Sequence, residues 1–381
     1  MTGNVKWFGR CRTDGGTARA LATAAVQPPC GAAQMAMVAG AARGGRAAGR
    51  RLRAVSAHVA PPAASTSALG TAAATAPVGQ YDWSAIEPPA LPLPSLDETV
   101  ERYIEHLRPL CSPVEVSAAA ETAKQFAASA GAVQAQGQLE AAIVNDPSTS
   151  YVKPYWDRMY LGGRYPVPIN SNPFVKWHAH PDPAQMGQAT RASTLVHCAL
   201  KWRQGQQTGT VEPDGPPDKR FCMSEYERLF CTSRIPVANG VDYHLTVPTS
   251  RHIIVLRGNA FHKLTVVSDD GDGSAIASQE TLERALQQII DDNGSTATSG
   301  AANPLAVLTA ADRDHWGLAR DAIVGSSESN ASALHEIESA ILHISLDITS
   351  PTDQTELFEV FLHGGAHSEP RWYDKSISLI V

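Results

Sequence analysis

Cysteine is scarce in this chain and does not fall into pairs. Six thiols (Cys11, Cys30, Cys111, Cys198, Cys222 and Cys231) occur among 381 residues, with no CxxC arrangement. That argues against a disulfide-dense scaffold or a thiolate zinc site and fits a reducing compartment. Long apolar runs are missing as well. No stretch approaches the about 18 apolar residues that a spanning helix needs, so no transmembrane segment is expected. Peripheral membrane contact stays open. A basic excess is also absent: 31 Lys and Arg face 38 Asp and Glu, a net charge of −7. A nucleic-acid binder would carry the opposite balance, so no nucleic-acid partner is expected. What is present is 43% apolar and 18% charged residues, enough for one large or two ordinary packed domains.

The charge is uneven along the chain. Residues 1–80 hold nine basic residues and one acid, Asp14, for a net of +8, which leaves −15 for residues 81–381. This stretch is rich in Ala, Gly, Ser and Thr and poor in bulky apolar side chains, so it cannot bury enough area to pack. Basic, Ser-containing and acid-poor, it reads as a disordered leader and an organelle transit peptide. Import into mitochondria is the first expectation, with plastid or peroxisome as alternatives.

From Tyr81 the character changes. Pro88, Pro89, Pro92 and Pro94 make an extended lead-in, and Ser95 or Asp97 can cap the helix that follows. Val100, Tyr103, Ile104 and Leu107 recur at helical spacing, and a second, Ala-rich helix is expected from about Val116 to Val144. These make residues 81–150 a helical segment. Residues 150–177 are aromatic and turn-rich and read as strand and loop. Further helices are expected over 184–203, 278–291, 310–323, 331–343 and 354–363. Paired strands are expected at 252–256 and 260–267, with a turn at Asp269-Asp270-Gly271 and a link over 293–303. Residues 372–381 alternate and then turn wholly apolar, as a buried strand would. The mixture lacks a strict βαβ rhythm, so the class is α/β, or α+β mixed.

Several segments, in order over about 290 residues, resemble the choline/carnitine O-acyltransferase family. Leu91-Pro92-Leu93-Pro94-Ser95-Leu96-Asp97-Glu98-Thr99 with Tyr103 is similar to its first signature. Trp156 to Leu161 and Pro168-Ile169-Asn170-Ser171-Asn172-Pro173 follow, then Arg191-Ala192 with His197-Cys198-Ala199-Leu200. Cys222 to Phe230, Thr232-Ser233-Arg234-Ile235-Pro236, Ser250 to Leu256, and Leu308-Thr309 with Asp312-Arg313 and Trp316 continue the pattern. Arg371-Trp372-Tyr373-Asp374-Lys375-Ser376 opens the second signature.

The resemblance implies a CoA-dependent acyltransferase fold, a mixed sheet flanked by helices, with residues 151–381 as the N-terminal portion of the catalytic domain and the C-terminal half missing. It implies transfer of a medium- or long-chain acyl group between acyl-CoA and carnitine (or choline), in fatty-acid transport and oxidation. The coenzyme A thioester is a co-substrate, and no bound cofactor is implied. The chemistry needs a neutral histidine to take a proton from a hydroxyl. The family's histidine lies downstream of the Arg-Trp-Tyr-Asp-Lys strand, beyond Val381. The chain alone is therefore expected to be inactive; a non-catalytic truncated product or binding module is the alternative.

Tyr160, with its neighbour Trp156, matches the aromatic lining of a carnitine pocket. A cation–π contact to a trimethylammonium group is the functional reading, and core packing the plain one. Arg371 matches an arginine that pairs with a later acid near the catalytic histidine; it and Asp374 are implied to support the site from behind. His178, His180 and Asp182 form a His-x-His-x-Asp run that could hold a metal or serve a metal hydrolase. It lies in a loop between prolines, where the family uses none, so no metal is expected.

Overall fold

A computed structural model of the chain describes residues 12–13, 16–17, 81–83, 86, 90–145, 150–258, 260–269, 274–293, 305–365 and 371–381. Of residues 1–80 only the backbone of a short antiparallel pair is described, β1 (Arg12–Thr13) and β2 (Gly16–Thr17). The leader expectation thus lies outside the described residues, as do Asp270 and Gly271 of the expected turn and nearly all of the 293–303 link. The chain divides into two units, residues 87–163 and residues 1–86 with 164–381.

The first unit is helical. Its α1 (Leu96–Leu107) starts where Ser95 accepts from the Glu98 N–H while Glu98 reaches back to the Ser95 N–H, satisfying two orphan donors at once. Ser112 and Glu115 repeat this box at α2 (Pro113–Ala127), with Pro113 at the first turn. The single helix expected over 116–144 is in fact two. Ser129 accepts from the Ala132 N–H at 3.2 Å and restarts the chain as α3 (Ala130–Asn145). Ala-rich periodicity carries no mark of such a break. Residues 153–161 also differ from the strand-and-loop expectation: they form α4 (Lys153–Leu161). Pro154 sits in its first turn, where its missing N–H costs nothing.

The second unit is built on a four-stranded sheet in the order β10-β9-β5-β6. Here β5 (His252–Arg257) pairs antiparallel with β6 (Ala260–Thr265), while β9 (His343–Ser345) and β10 (Ser378–Ile380) run parallel to β5. Two hairpins flank it, β3 (Thr232–Ile235) with β4 (Tyr243–Thr246) and β7 (Val267–Asp269) with β8 (Ser274–Ile276). On β5, Ile253 and Val255 face one apolar cluster, with Val196 and Leu200 of α5 (Gln188–Gln207) and Leu282 and Leu286 of α6 (Gln279–Asn293). Ile254 and Leu256 face the other, with Trp316 of α7 (Arg313–Ser326) and Leu334 and Ile337 of α8 (Glu328–Ser339). Helices thus cover both faces, which is why β5 reads as a continuous apolar run. The α/β class, a mixed sheet flanked by helices, is the observed one. The remaining helix, α9 (Gln354–His363), ends on Gly364 in the left-handed conformation, φ 88°.

Two boundaries differ from the sequence reading. The helix expected over 331–343 stops at Ser339, and the next residues turn into the central strand β9. Ala340 to Leu346 is buried throughout, and a fully buried run has neither a helical nor a strand period to read. The closing strand β10 is also not buried between neighbours. It is a half-buried edge strand paired only with β9 among the described residues.

Candidate functional site

The segment Arg371 to Ser376 crosses the interior of the sheet unit. The side chains of Arg371, Asp374 and Lys375 all find partners there, while the buried Trp372 Nε1 has no hydrogen bond among the described residues. The Arg371 guanidinium forks onto the Asp347 carboxylate, Nη1 to Oδ1 at 2.7 Å and Nη2 to Oδ2 at 2.6 Å, with both side chains buried. Two parallel charge-assisted bonds fix both planes at once. The acid comes from upstream, directly after β9. Sequence reasoning passed over Asp347, because the expected helix ran on to His343 and left no strand whose end could present it.

Asp374 accepts from Arg313 Nη1 at 2.7 Å and from Trp316 Nε1 at 2.7 Å. Arg313, fully buried, also donates Nε to Asp242 at 2.6 Å. Asp242 collects two further arginines, Arg234 at 2.7 Å and Arg164 at 3.0 Å, and the Val237 N–H at 3.1 Å. Burial works against the Asp242 carboxylate, but Arg313, Arg234 and the amide outweigh it and hold its pKa below the ordinary range. At Asp374 burial wins and pushes the carboxyl up despite Arg313 and Trp316. Arg313 is thereby the hub joining Asp242 of the 234–243 turn to the signature segment.

Lys375 is buried, with Nζ donating to the Glu338 carbonyl at 2.9 Å and to Ser233 Oγ at 3.3 Å. Burial pulls its pKa down to about 7, partly opposed by Cys231 and Glu338. The backbone is held too. Arg234 N donates to Asp374 O at 2.8 Å, Ser376 N to Thr232 O at 3.1 Å, and Asn172 Nδ2 to Tyr373 O at 2.8 Å. Asn172 belongs to the Asn-Ser-Asn-Pro stretch, so two separated motifs meet there.

The aromatic pair lies on α4, in the helical unit. Trp156 and Tyr160 stand one turn apart with ring centroids 5.0 Å from each other, 55% and 39% exposed. They are not core residues: each keeps a large part of its surface exposed.

The histidines divide into two kinds. His343 and His252 are buried, with Nε2 against the carbonyls of Ile337 and Glu336 at 2.8 Å each. Burial drives both below the ordinary imidazole value, His343 furthest, with Lys375 adding to it. Both are neutral core side chains. His315 pairs with Asp312 at the exposed first turn of α7, Nδ1 to Oδ2 at 2.5 Å. His180 Nδ1 accepts from the Asp182 N–H at 3.1 Å, and Asp182 in turn caps the 3₁₀ turn Pro183–Met186 through the Ala184 N–H. His180 and Asp182 are thus engaged within their own loop. Among the described residues no three His, Cys, Asp or Glu side chains gather as a metal set. No helix there is long and apolar enough to cross a membrane.

The sequence is similar to those of known proteins. Bovine (Bos taurus) mitochondrial carnitine O-palmitoyltransferase 2 is 29% identical over 324 residues, covering 77% of this chain and 47% of the relative. The human protein of the same name is 29% identical over 342 residues, covering 80% and 50%. The human liver isoform of carnitine O-palmitoyltransferase 1 is 30% identical over 304 residues, covering 77% and 38%. The chain spans about half the length of the curated relatives it matches, and less of the liver isoform. Residues 91–381 match the family model described as choline/carnitine O-acyltransferase, and the chain belongs to that family.

Proposed function

We propose that these residues are the N-terminal portion of a carnitine O-acyltransferase that moves medium- or long-chain acyl groups between coenzyme A and carnitine. Family membership and the palmitoyltransferase names of the relatives support this. The observation that carries it is the matched Arg371–Lys375 segment, in which Arg371, Asp374 and Lys375 are all locked by buried partners. A segment so fixed is a platform for a reaction centre rather than part of a mobile surface.

In the reaction the carnitine hydroxyl oxygen attacks the thioester carbonyl while a neutral imidazole accepts the hydroxyl proton. The tetrahedral adduct collapses, the C–S bond breaks, and the thiolate takes the proton back from the imidazolium. His252 and His343 are ill suited to that role, because each is buried with Nε2 committed to a backbone carbonyl. The base in this reading comes from outside the described residues. Trp156 and Tyr160 receive the trimethylammonium group, and Arg371 with Asp374 holds the platform. The coenzyme A thioester is a co-substrate. The basic leader is an import signal and the compartment mitochondrial, in keeping with the names of the first relatives.

The test is exchange of radiolabelled carnitine into palmitoylcarnitine. Protein isolated at its native length from its source should exchange palmitoyl groups with carnitine and not with choline. The 381-residue polypeptide alone should show none above buffer. Tyr160→Ala in the native-length protein should raise the KM for carnitine about tenfold, on the scale of one desolvated cation–π contact. Exchange by the 381 residues alone, or preference for choline, overturns the reading.

A further inference from the structure

The carboxyl ends of the parallel strands β5, β9 and β10 lie at one edge of the sheet, and four polar side chains converge there. Asp347 follows β9 and holds Arg371. Arg257 ends β5, and its Nη1 donates to Asp347 O at 2.6 Å and to Leu346 O at 3.2 Å. The fourth is Gln188, the first residue of the 20-residue helix α5. Its Nε2 donates to Asp347 O and to the main-chain oxygen of Val381, both at 2.7 Å, and its Oε1 accepts from Arg257 Nη1 at 3.2 Å. Both amide hydrogens of one side chain are spent on the ends of two neighbouring strands. The strands bond each other at the same place, Val381 N to Ser345 O and Asp347 N to Val381 O, each at 2.9 Å.

We propose that Gln188 is a positioning residue for acyl transfer, fixing the carboxyl ends of β9 and β10 from the start of α5. The proposal rests on the acyltransferase reading. In open α/β sheets ligands bind outside the carboxyl ends of the strands, so an error in aim at this edge is felt at the reacting atoms. Asp347 is gripped twice here, its carboxylate by Arg371 and its carbonyl by Gln188 and Arg257. The Gln188 grip therefore also sets where the Arg371 pair stands. The residue type is demanded by the geometry. Two donors and one acceptor are needed on one half-buried side chain. Glutamate would turn the donors into acceptors facing two oxygens, and methionine would fill the volume with neither.

The experiment uses native-length protein with Q188M and Q188E. It measures kcat, the KM values for carnitine and palmitoyl-CoA, the melting temperature, and amide hydrogen exchange. Both variants should lose about 10²-fold in kcat, the scale of a small misplacement, with both KM values within about twofold of wild type. Exchange should quicken about tenfold at the Asp347 and Val381 amides and stay unchanged at Ile254 in β5. Unchanged kcat overturns the proposal. So does quickened exchange across the whole sheet with a large fall in melting temperature, which marks a general packing role. An inactive wild type removes the acyltransferase reading and the positioning role with it. Quickened exchange confined to Asp347 and Val381 would then still show a local clamp, separating the two failures.

Discussion

Among the described residues of 87–163 only Val100 and Ala132 are buried, and the helices there rest on capping boxes at Ser95 and Ser112 and on Ala-rich propensity. Residues 164–381 hold two apolar clusters, one on each face of the sheet, and a chain of fully buried charges through Arg313. The first unit is held mainly by terms local in sequence, with Gln136 Nε2 to the Pro94 carbonyl as an exception, and the second by partners tens of residues apart. Arg313 and Asp242 are 71 residues apart, and Lys375 and Ser233 are 142 apart. Changes of equal chemical size should therefore weigh very differently in the two units.

The largest difference is expected at buried charge. Arg313→Met leaves the carboxylates of Asp242 and Asp374 without their shared partner in the interior. Removing one member of a buried pair costs about 3–5 kcal/mol. The Lys153–Asp157 pair on α4, at 3.3 Å and part-exposed, should move stability by less than about 0.5 kcal/mol when Lys153 is changed to Met. Urea unfolding followed by tryptophan fluorescence compares them. Equal midpoints for the two variants would break the contrast.

Acidity should separate the units next. Lys375 has a folded pKa of about 7 against 10.5 ordinarily. Between those values the unfolded chain binds more protons, so stability rises with pH across that window, and below about 7 the burial penalty is present in full. His252, His262 and His343 are lowered by burial and add a rise on the way up to 6.5. Tyr226 and Cys231, raised by burial, act the other way only near and above their ordinary values of 10 and 9. The sheet unit should thus gain stability from about pH 6 to pH 9, and Lys375→Met should flatten the slope above pH 7. In the helical unit Glu98 and Glu115 are lowered by hydrogen bonds from Ser95 and Ser112, so their contribution is lost only on acidification below about 4.5. Melting curves at stepped pH, with hydrogen exchange on α1 and α2, read both.

The same contrast governs what was legible in the sequence. Local signals were readable: the Ser95 cap, the α9 span over 354–363, and the β5–β6 pair around Gly258. Features set by distant partners were not. Within the buried run from Ala340 to Leu346, His343–Ser345 form β9 because β5 and β10 stand on either side, and nothing in the composition says so. Asp347 and Asp242 look like ordinary loop acids until the fold brings Arg371 and Arg313 to them. Trp156 and Tyr160 were singled out by resemblance while their helix was missed, because aromatic and turn residues outweighed Pro154 as a helix start. Gln188 carries no sequence signal at all, since its meaning lies in three partners from three different strand ends.

The smallest effects test whether the helical unit is held by propensity. A Cβ at Gly137, inside α3, would meet nothing within 4 Å. Gly137→Ala should therefore stabilise α3 by about 0.5–1 kcal/mol, because the unfolded chain loses freedom that the helix never used. A Cβ at Gly317, inside α7, would stand 2.6 Å from the Ala238 nitrogen, which is backbone and cannot swing aside. Gly317→Ala should destabilise the sheet unit by about 1–3 kcal/mol, as overpacking does. One substitution, Gly to Ala in mid-helix, then carries opposite signs in the two units. Hydrogen exchange on α3 and the melting temperature of the sheet unit read the signs separately. A loss at Gly137 would mean that α3 packs closely against another surface in solution, and the helical unit would no longer be the locally held half of the comparison.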